Sequence, residues 1–492
     1  MEKISDQVKR KPWKGWVLYF ITIVIVFIVG LLANSIIERR SESNLIFQSV
    51  KPIADWEPRN EVWGENYPRE YETYYKTKDT SFASKHGGSA TIDMLSRYPN
   101  LVVMWAGYAF SKDYNQGRGH YLAINDIRKT LRTDIPQPGT CWSCKSTDVP
   151  RMMNQLGIAN FYRTPWKDLG SEIVNPIGCQ DCHDPKTMNL RITRPALIEA
   201  FQRQGKDITK ATHNEMRSLV CAQCHVEYYF KGKEEKYLTF PWDKGLSVEN
   251  MEAYYDSTEF SDWTHALSKA PMLKNQHPDY EVFTYGIHYE RGVSCADCHM
   301  PYKSEGGIKF TNHQIQSPLA NISGSCQVCH RESELTLTKN VYDRQDKIFE
   351  LLKISTDAIV KAHIYAKYAW DYGATEEQMK PILKLIRHSQ WRTDYVAATQ
   401  GGSFHAPLEC ARILGTSIQK AELAVGMLIE LFTKMGKPVP EMPDISTKEK
   451  AQKYLGLDMA ALWKSKMEFI TNILPQWDKT ADERQGKYKK NN

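Results

Sequence analysis

Eleven cysteines resolve into five Cys-x-x-Cys pairs, 141/144, 179/182, 221/224, 295/298 and 326/329, and a single Cys410. In four pairs the next residue is histidine: His183, His225, His299 and His330. The first pair, Cys141-Trp-Ser-Cys-Lys145, ends in lysine. Paired thiols followed directly by His are the pattern in which both sulfurs bond covalently to a haem and the imidazole ligates its iron. Zinc takes two such pairs per tetrahedral site, which five pairs cannot share evenly, and a redox dithiol needs one. The pattern predicts five haem c groups held by Cys141, Cys144, Cys179, Cys182, Cys221, Cys224, Cys295, Cys298, Cys326 and Cys329. One of them has Lys145 as its proximal ligand. Lysine must lose a proton to bind iron, which costs about 4–5 kcal/mol at neutral pH for a side chain of ordinary pKa. A ligand this costly at one motif among five marks that haem as chemically distinct. Cys410 reads as a buried thiol near a helix start.

A haem that only carries electrons has both axial positions filled. Four of the 14 histidines are proximal, and ten remain: His86, His120, His213, His265, His277, His288, His313, His363, His388 and His405. Four distal ligands drawn from these would close the four His-type haems. The Lys145 haem would then be the open one.

The elements that must carry these motifs follow in chain order. Residues 1–14 are basic, with Lys3, Lys9, Arg10, Lys11 and Lys14, and read as a cytoplasmic N-terminus. Residues 15–37 contain no charge and are long enough for a transmembrane anchor, with Trp16 and Tyr19 as interfacial residues. Fewer basic residues follow (Arg39, Arg40, Lys51), which places the rest of the chain outside. A cleaved signal with Ala33-x-Ser35 as its small-residue site is the competing reading. Residues 38–80, with Pro52, Pro58 and Pro68, read as an extended lead-in. Residues 81–340 are rich in Gly, Pro and short polar segments, hold all five motifs, and read as loops wrapped around haems.

From 341 to 480 the pattern turns helical. Val341, Ile348, Leu352, Ile359, Ala362 and Ala366 recur at helical spacing through Trp370. Gly373 breaks the run and Thr375 caps a second helix over 376–398. A third is expected from about 406 to 435, ending at Gly436-Lys-Pro438, and two shorter ones are introduced by Ser446 and Leu457-Asp458. Residues 481–492 read as a polar tail. The fold class expected is a mainly α multihaem c-type cytochrome, a loop-rich haem-wrapping region followed by long C-terminal helices. The net charge of +6 is spread along the chain and does not suggest nucleic acid. It is better read as compensation for haem propionates.

With five motifs in this order and the first ending in Lys, the chain resembles pentahaem cytochrome c nitrite reductase, the ammonia-forming enzyme. The resemblance covers roughly residues 60–480. It is carried by Trp105-Ala-Gly-Tyr108, Gly117-Arg-Gly-His120, Thr130-Leu-Arg-Thr133 and Cys141-Trp-Ser-Cys-Lys145. It continues through Cys221-Ala-Gln-Cys-His-Val-Glu-Tyr-Tyr-Phe230 and Pro271-Met-Leu-Lys-Asn-Gln-His-Pro278, and then Gly286-Ile-His288, His405-Ala-Pro407 and Pro443-Asp-Ile-Ser-Thr-Lys448.

The resemblance implies that His313 closes the haem at Cys179/Cys182 and His120 the haem at Cys221/Cys224. It likewise implies that His405 closes the haem at Cys295/Cys298 and His288 the haem at Cys326/Cys329. His86, His213, His265, His363 and His388 receive no role. Arg132, Tyr228 and His277 match the family's distal pocket over the Lys-ligated haem. A guanidinium suits a small anion, and proton donors suit departing oxygens. One Ca²⁺ per subunit is also implied, held by the side chains of Glu227 and Gln276 and the carbonyls of Tyr228 and Lys274.

The implied activity is six-electron reduction of nitrite to ammonium, with electrons from a membrane-bound quinol-oxidising multihaem cytochrome. The implied assembly is a homodimer on the periplasmic face of the cytoplasmic membrane. Two alternatives are an electron carrier with all haems closed, and a relative acting mainly on hydroxylamine or sulfite.

Overall fold

The computed structural model describes the backbone of residues 11–47, 51–133 and 136–491. Lys3, Lys9 and Arg10 of the basic N-terminus lie outside these residues. The chain divides into a unit ending at Ile53 and a second running from Ala54 to Asn492.

The first unit is one helix, α1 (Pro12–Phe47), which continues ten residues past the predicted span. Its apolar stretch, Pro12–Glu38, has no buried residue. Trp16 and Tyr19 meet edge to face on its exposed surface, with ring centroids 6.0 Å apart. The Thr22 hydroxyl donates to the Leu18 carbonyl, so this polar group is satisfied within the helix.

The second unit begins with a correction. The lead-in is not extended throughout: it folds into α2 (Asn60–Gly64), α3 (Pro68–Tyr75) and a 3₁₀ turn at Lys76–Lys78. Pro68, one of the prolines of the segment read as extended, sits in the first turn of α3, where a missing N–H costs nothing. These helices house the second motif. Asn60 donates to the Tyr74 hydroxyl and accepts from the Cys179 N–H, both at 2.9 Å, and the Thr73 hydroxyl accepts from the His313 N–H.

The motif-bearing region is loop-rich, as expected. It contains three short antiparallel ribbons, β1/β2 (Tyr229–Lys231 with Tyr237–Thr239), β3/β4 (Trp263–Thr264 with Pro271–Met272) and β5/β6 (Tyr302–Glu305 with Ile308–Thr311). The second and fourth motifs form one-turn helices, α4 (Cys179–Cys182) and α7 (Cys295–His299). In each, the residue before the second cysteine is an aspartate that accepts from the N–H opening the turn: Asp181 from Gly178, Asp297 from Ser294. The third motif ends α5 (His213–Ala222), started by a Thr212/Glu215 capping box. Between them runs α6 (Val248–Ser257).

Three long helices follow: α8 (Glu334–Asp371), α9 (Glu376–Ala398) and α10 (Pro407–Lys434). The six periodic residues predicted for the first are all buried. That helix begins earlier than read, because Ser333 accepts from the Thr336 N–H as its N-cap. Gly373 takes a φ of +94° between α8 and α9, and Thr375 caps α9 through Gln378. The three helices touch through small hydroxyls. Ser355 bonds Thr393, and both Thr393 and Ser389 bond Ser417. Cys410 is fully buried in the first turn of α10.

Next come α11 (Lys448–Tyr454), capped by Thr447 rather than Ser446, and α12 (Met459–Asn472), capped by Asp458. The polar tail read over 481–492 is part of a helix that was not anticipated: α13 runs Leu474–Asn491. It is anchored where Trp477 packs against Trp166 and Arg128 pairs with Asp478 at 2.9 Å.

Two of the unassigned histidines tie β3/β4 to the helices. His265 and His363 are fully buried and stacked, with centroids 3.6 Å apart. His265 bonds the Val103 carbonyl, and His363 bonds Ser268 and Gln390. Burial pulls His363 down to about 4, and His265 moves the same way. In the unfolded chain each titrates near about 6.5, so between about pH 6.5 and about pH 4 the unfolded state binds the extra protons. Stability should therefore fall as pH falls through that window, by about 3 kcal/mol for His363. Denaturant midpoints between neutral and acid pH measure this, and His363→Gln should flatten the slope. An equal slope in the variant places the acid sensitivity elsewhere.

Candidate functional site

The histidines far apart in sequence come together in pairs. Ring centroids of His183 and His313 lie 6.2 Å apart, His120 and His225 6.4 Å, His299 and His405 6.2 Å, and His288 and His330 6.3 Å. A metal–imidazole bond of about 2 Å, added to the distance from nitrogen to ring centre, puts two imidazoles on one metal about 6.3 Å apart. All four spacings fit an iron between the rings, and none is a stacking or hydrogen-bonding distance.

Three of these rings, in two of the pairs, have Nδ1 engaged by a backbone carbonyl: His183 by Met188 (2.8 Å), His313 by Thr311 (2.7 Å) and His299 by Gln316 (2.9 Å). An Nδ1–H donated in this way leaves the Nε2 lone pair free for a metal. Burial lowers His120, His183 and His405 to about 4, so each is held neutral, as a ligand must be. His225 also lies 6.4 Å from His277, so spacing alone does not choose between His120 and His277 as its partner.

The motifs adjoin one another. The Cys144 thiol lies beside Cys224, and Cys221 beside Cys295, close enough for each to shift the other's proton affinity. Cys182 lies close enough to Cys224, and Cys298 to Cys326, for their charges to interact. The third motif is thus the junction of the set. Burial pushes the Cys141, Cys179, Cys182 and Cys298 thiols up to about 12.

Around the first motif the structure brings together Lys145, Arg132, Tyr228 and His277. Lys145 and Arg132 both draw the Cys141 thiol down electrostatically. The Tyr228 hydroxyl is pushed well up by burial and by the nearby Cys144 and Cys141. Burial and then the Lys145 charge lower His277 to about 3. The Arg132 guanidinium lies 4.4 Å from the centre of the Phe110 ring, and its Nε donates to Thr130. Thr130 in turn donates to buried Asp113 at 2.8 Å. Tyr228 and His277 are carried by two adjacent segments joined where the His277 N–H donates to Val226 and the Tyr280 N–H to His225.

The oxygen groups expected at the cation site also lie together. Glu227, 1% exposed, accepts from the Gln276 N–H (2.7 Å) and the Tyr255 hydroxyl (3.0 Å). The Gln276 amide donates to the Lys274 carbonyl. Burial pushes the Glu227 carboxyl well up, and neighbouring Glu281 and Asp262 push it further. They are themselves raised, to about 8 and about 7, chiefly by burial. Crowded buried oxygens of this kind suit a hard dication. Among the described residues, no three His, Cys, Asp or Glu converge as a metal cage.

The family model for cytochrome c552 matches residues 59–489. The chain belongs to the cytochrome c552 family. It is similar to the cytochrome c-552 of Parabacteroides distasonis, 59% identical over 485 residues, covering 96% of this chain and 98% of that one. The cytochrome c-552 of Porphyromonas gingivalis is 57% identical, covering 96% and 97%. Among solved structures, the cytochrome c nitrite reductase of Desulfovibrio desulfuricans superposes with a TM-score of 0.74 at 32% identity. That likeness covers 84% of this chain and 91% of the other, whose catalytic subunit is described as having two calcium sites. As a member of the family, the chain is a mainly α multihaem c-type cytochrome.

Sequence reasoning missed the buried charges behind the site. The Lys274 ammonium lies 4.8 Å from the ring centres of both Trp105 and Phe110, and both Asp394 oxygens accept from it at 2.9 Å. This pair is almost completely buried and ties α9 to the segment carrying His277. A charge on the inward face of the 376–398 periodicity was the available signal. Asp394→Asn should strand the Lys274 cation and cost about 3–5 kcal/mol, read as a lowered Tm. Lys274→Met combined with Asp394→Leu should recover part of the loss. A wild-type Tm in the single variant would show that the pair contributes no net stability.

Proposed function

We propose that this cytochrome is an ammonia-forming nitrite reductase with five haem c groups, one ligated by Lys145. The observation that carries the reading is the histidine pairing. Each Cys-x-x-Cys-His motif has a second imidazole at a metal-bridging distance, while Lys145 stands among Arg132, Tyr228 and His277. His120 is taken as the partner of His225, which leaves His277 for substrate. The similarity to a solved nitrite reductase supports the same activity.

When bound, the Lys145 haem supplies the iron at which nitrite is reduced. Arg132, stacked on Phe110 and tethered through Thr130, presents a fixed cation to the anion. His277, neutral in its buried site, picks up protons from solvent and hands them to the departing oxygens, which leave as water. Tyr228 keeps its proton and donates a hydrogen bond to nitrogen-bound oxygen. Glu227, Gln276 and the carbonyls of Tyr228 and Lys274 would hold a Ca²⁺ that fixes Tyr228 and His277 and adds positive potential. The junction at Cys221/Cys224 favours delivery of electrons from the bis-His haems to the first motif through the third.

The donor in this reading is a membrane-bound quinol-oxidising multihaem cytochrome. The exposed apolar surface of α1 supports a periplasmic enzyme anchored in the cytoplasmic membrane. Exposed Leu408 and Leu423 on α10 are consistent with a homodimer through the long helices.

Lys145→His should retain five haems by mass spectrometry while lowering nitrite-to-ammonium turnover by about tenfold or more. Unchanged turnover in a fully loaded variant would make the lysine incidental. In the wild type, EPR should show one high-spin ferric haem beside four low-spin ones, and five low-spin haems would favour an electron carrier. Sedimentation in detergent at micromolar concentration should give a dimer, and a monomer contradicts that part of the reading.

A further inference from the structure

A second buried cation lies beneath the first motif. Arg194 follows the second motif by a dozen residues, and its side chain is 4% exposed. Its Nε donates to the Ser143 carbonyl at 2.7 Å, and one Nη donates to the Ser146 carbonyl at 2.9 Å and to Asp181 Oδ1 at 2.6 Å. The other Nη donates to the Thr193 hydroxyl at 2.7 Å. Ser143 and Ser146 bracket Cys144 and Lys145, so a single guanidinium grips the backbone on both sides of the lysine. Asp181 lies between the cysteines of the second motif. Gln223, between those of the third, accepts from the N–H groups of Thr193 and Arg194 and donates to the Asp181 carbonyl. The planar fork therefore ties the first two haem motifs together, the backbone N–H of the same residue holds the third, and only the turn at the first carries a lysine.

The chemistry of the ligand explains why this turn needs such a hold. A histidine reaches iron through a short, stiff ring that its backbone position largely aims. A lysine reaches it through four rotatable bonds, so the direction of its amine depends on how firmly the Cα is held. The 3₁₀ helix that begins the motif ends at Trp142, and beyond it the backbone is held by one turn bond, Lys145 N–H to the Trp142 carbonyl, and by a bridge of Ser146 to Pro176. Ser146 adds a bond to the Asn175 carbonyl, and the Thr147 carbonyl accepts from Gln180. Arg194 is the cation among these contacts, and the Asp148 carboxylate accepts from the Ser146 hydroxyl. Lysine in its place has a single charged nitrogen and cannot span both carbonyls and Asp181.

We infer that Arg194 is a positioning residue for the proximal ligand: by holding the Ser143 and Ser146 carbonyls it aims Lys145 at the iron of the first haem. This rests on the proposed Lys145 ligation.

The test uses the full-length, haem-loaded protein and Arg194→Lys, which keeps the buried charge opposite Asp181 but loses the fork. Haem content should remain at the wild-type value by mass spectrometry. The high-spin EPR signal of the open haem should shift or lose intensity, with the low-spin signals unchanged. Nitrite kcat should fall by about tenfold or more with KM within about twofold, as displacement of a reacting centre predicts. The same change in a Lys145→His background should have little further effect on either readout. An Arg194→Lys protein with full haem content and a wild-type high-spin signal overturns the inference. Equal loss in both backgrounds does the same, because Arg194 would then act on the fold generally.

Should Arg194→Lys fail to accumulate, Thr193→Val removes one acceptor and leaves the Asp181 pair intact. The same EPR change at smaller amplitude is expected from it, and an unchanged signal overturns the inference. A wild-type protein with no high-spin haem refutes the functional reading itself. A wild-type high-spin signal that the variants leave unchanged refutes only the role of Arg194.

Discussion

The separation of about 6.3 Å that two imidazoles keep on one metal is the constraint on which the proposed reading of this molecule depends. Four separate ring pairs meet it, with His277 at the same distance from His225 as His120 is, and each joins parts of the chain that no sheet or helix brings together. His120 lies at the start of a 3₁₀ turn, His313 just beyond β6 and His405 at the end of a one-turn helix. Local backbone structure in residues 81–340 is short where these rings are brought together. Long-range regularity returns only in α8, α9 and α10, where the periodic apolar faces bury one another.

Within the apolar core, buried ion pairs add directional joins. Arg194 with Asp181 fastens the first two motifs, Gln223 of the third bonds both residues, and Lys274 with Asp394 fastens the pocket segment to α9. Such pairs add little net stability compared with apolar packing. They have directional bonds that apolar contacts lack, and both sit where a particular backbone carbonyl or side chain has to point one way. The Phe110 ring links the two themes, with Arg132 and Lys274 both packed against it.

Much of this was legible in the sequence, for physical reasons that differ by region. The boundaries of α9 followed from Gly373 and Thr375, because a glycine stop and a hydroxyl cap act locally. The cysteine motifs were legible because covalent chemistry fixes their spacing. The helices at 60–75 were not, since Pro68 signals a breaker or a first turn equally well, and the choice depended on Tyr74 and Thr73 docking against the second motif. α13 was missed for a similar reason: Gly170 and Trp166, far upstream, supply the surface on which Trp477 rests. Arg132, Tyr228 and His277 came from the family resemblance. Asp113, Thr130 and Arg194, which act behind the site, had no local signature.

The motif thiols bear on how the molecule is made. Thioether formation needs a reactive sulfur, and reactivity resides in the thiolate. In the folded arrangement Cys141, Cys179, Cys182 and Cys298 keep partial exposure, but their surroundings raise them to about 12. The same sulfurs are more reactive on an open chain, which favours haem attachment before the fold closes.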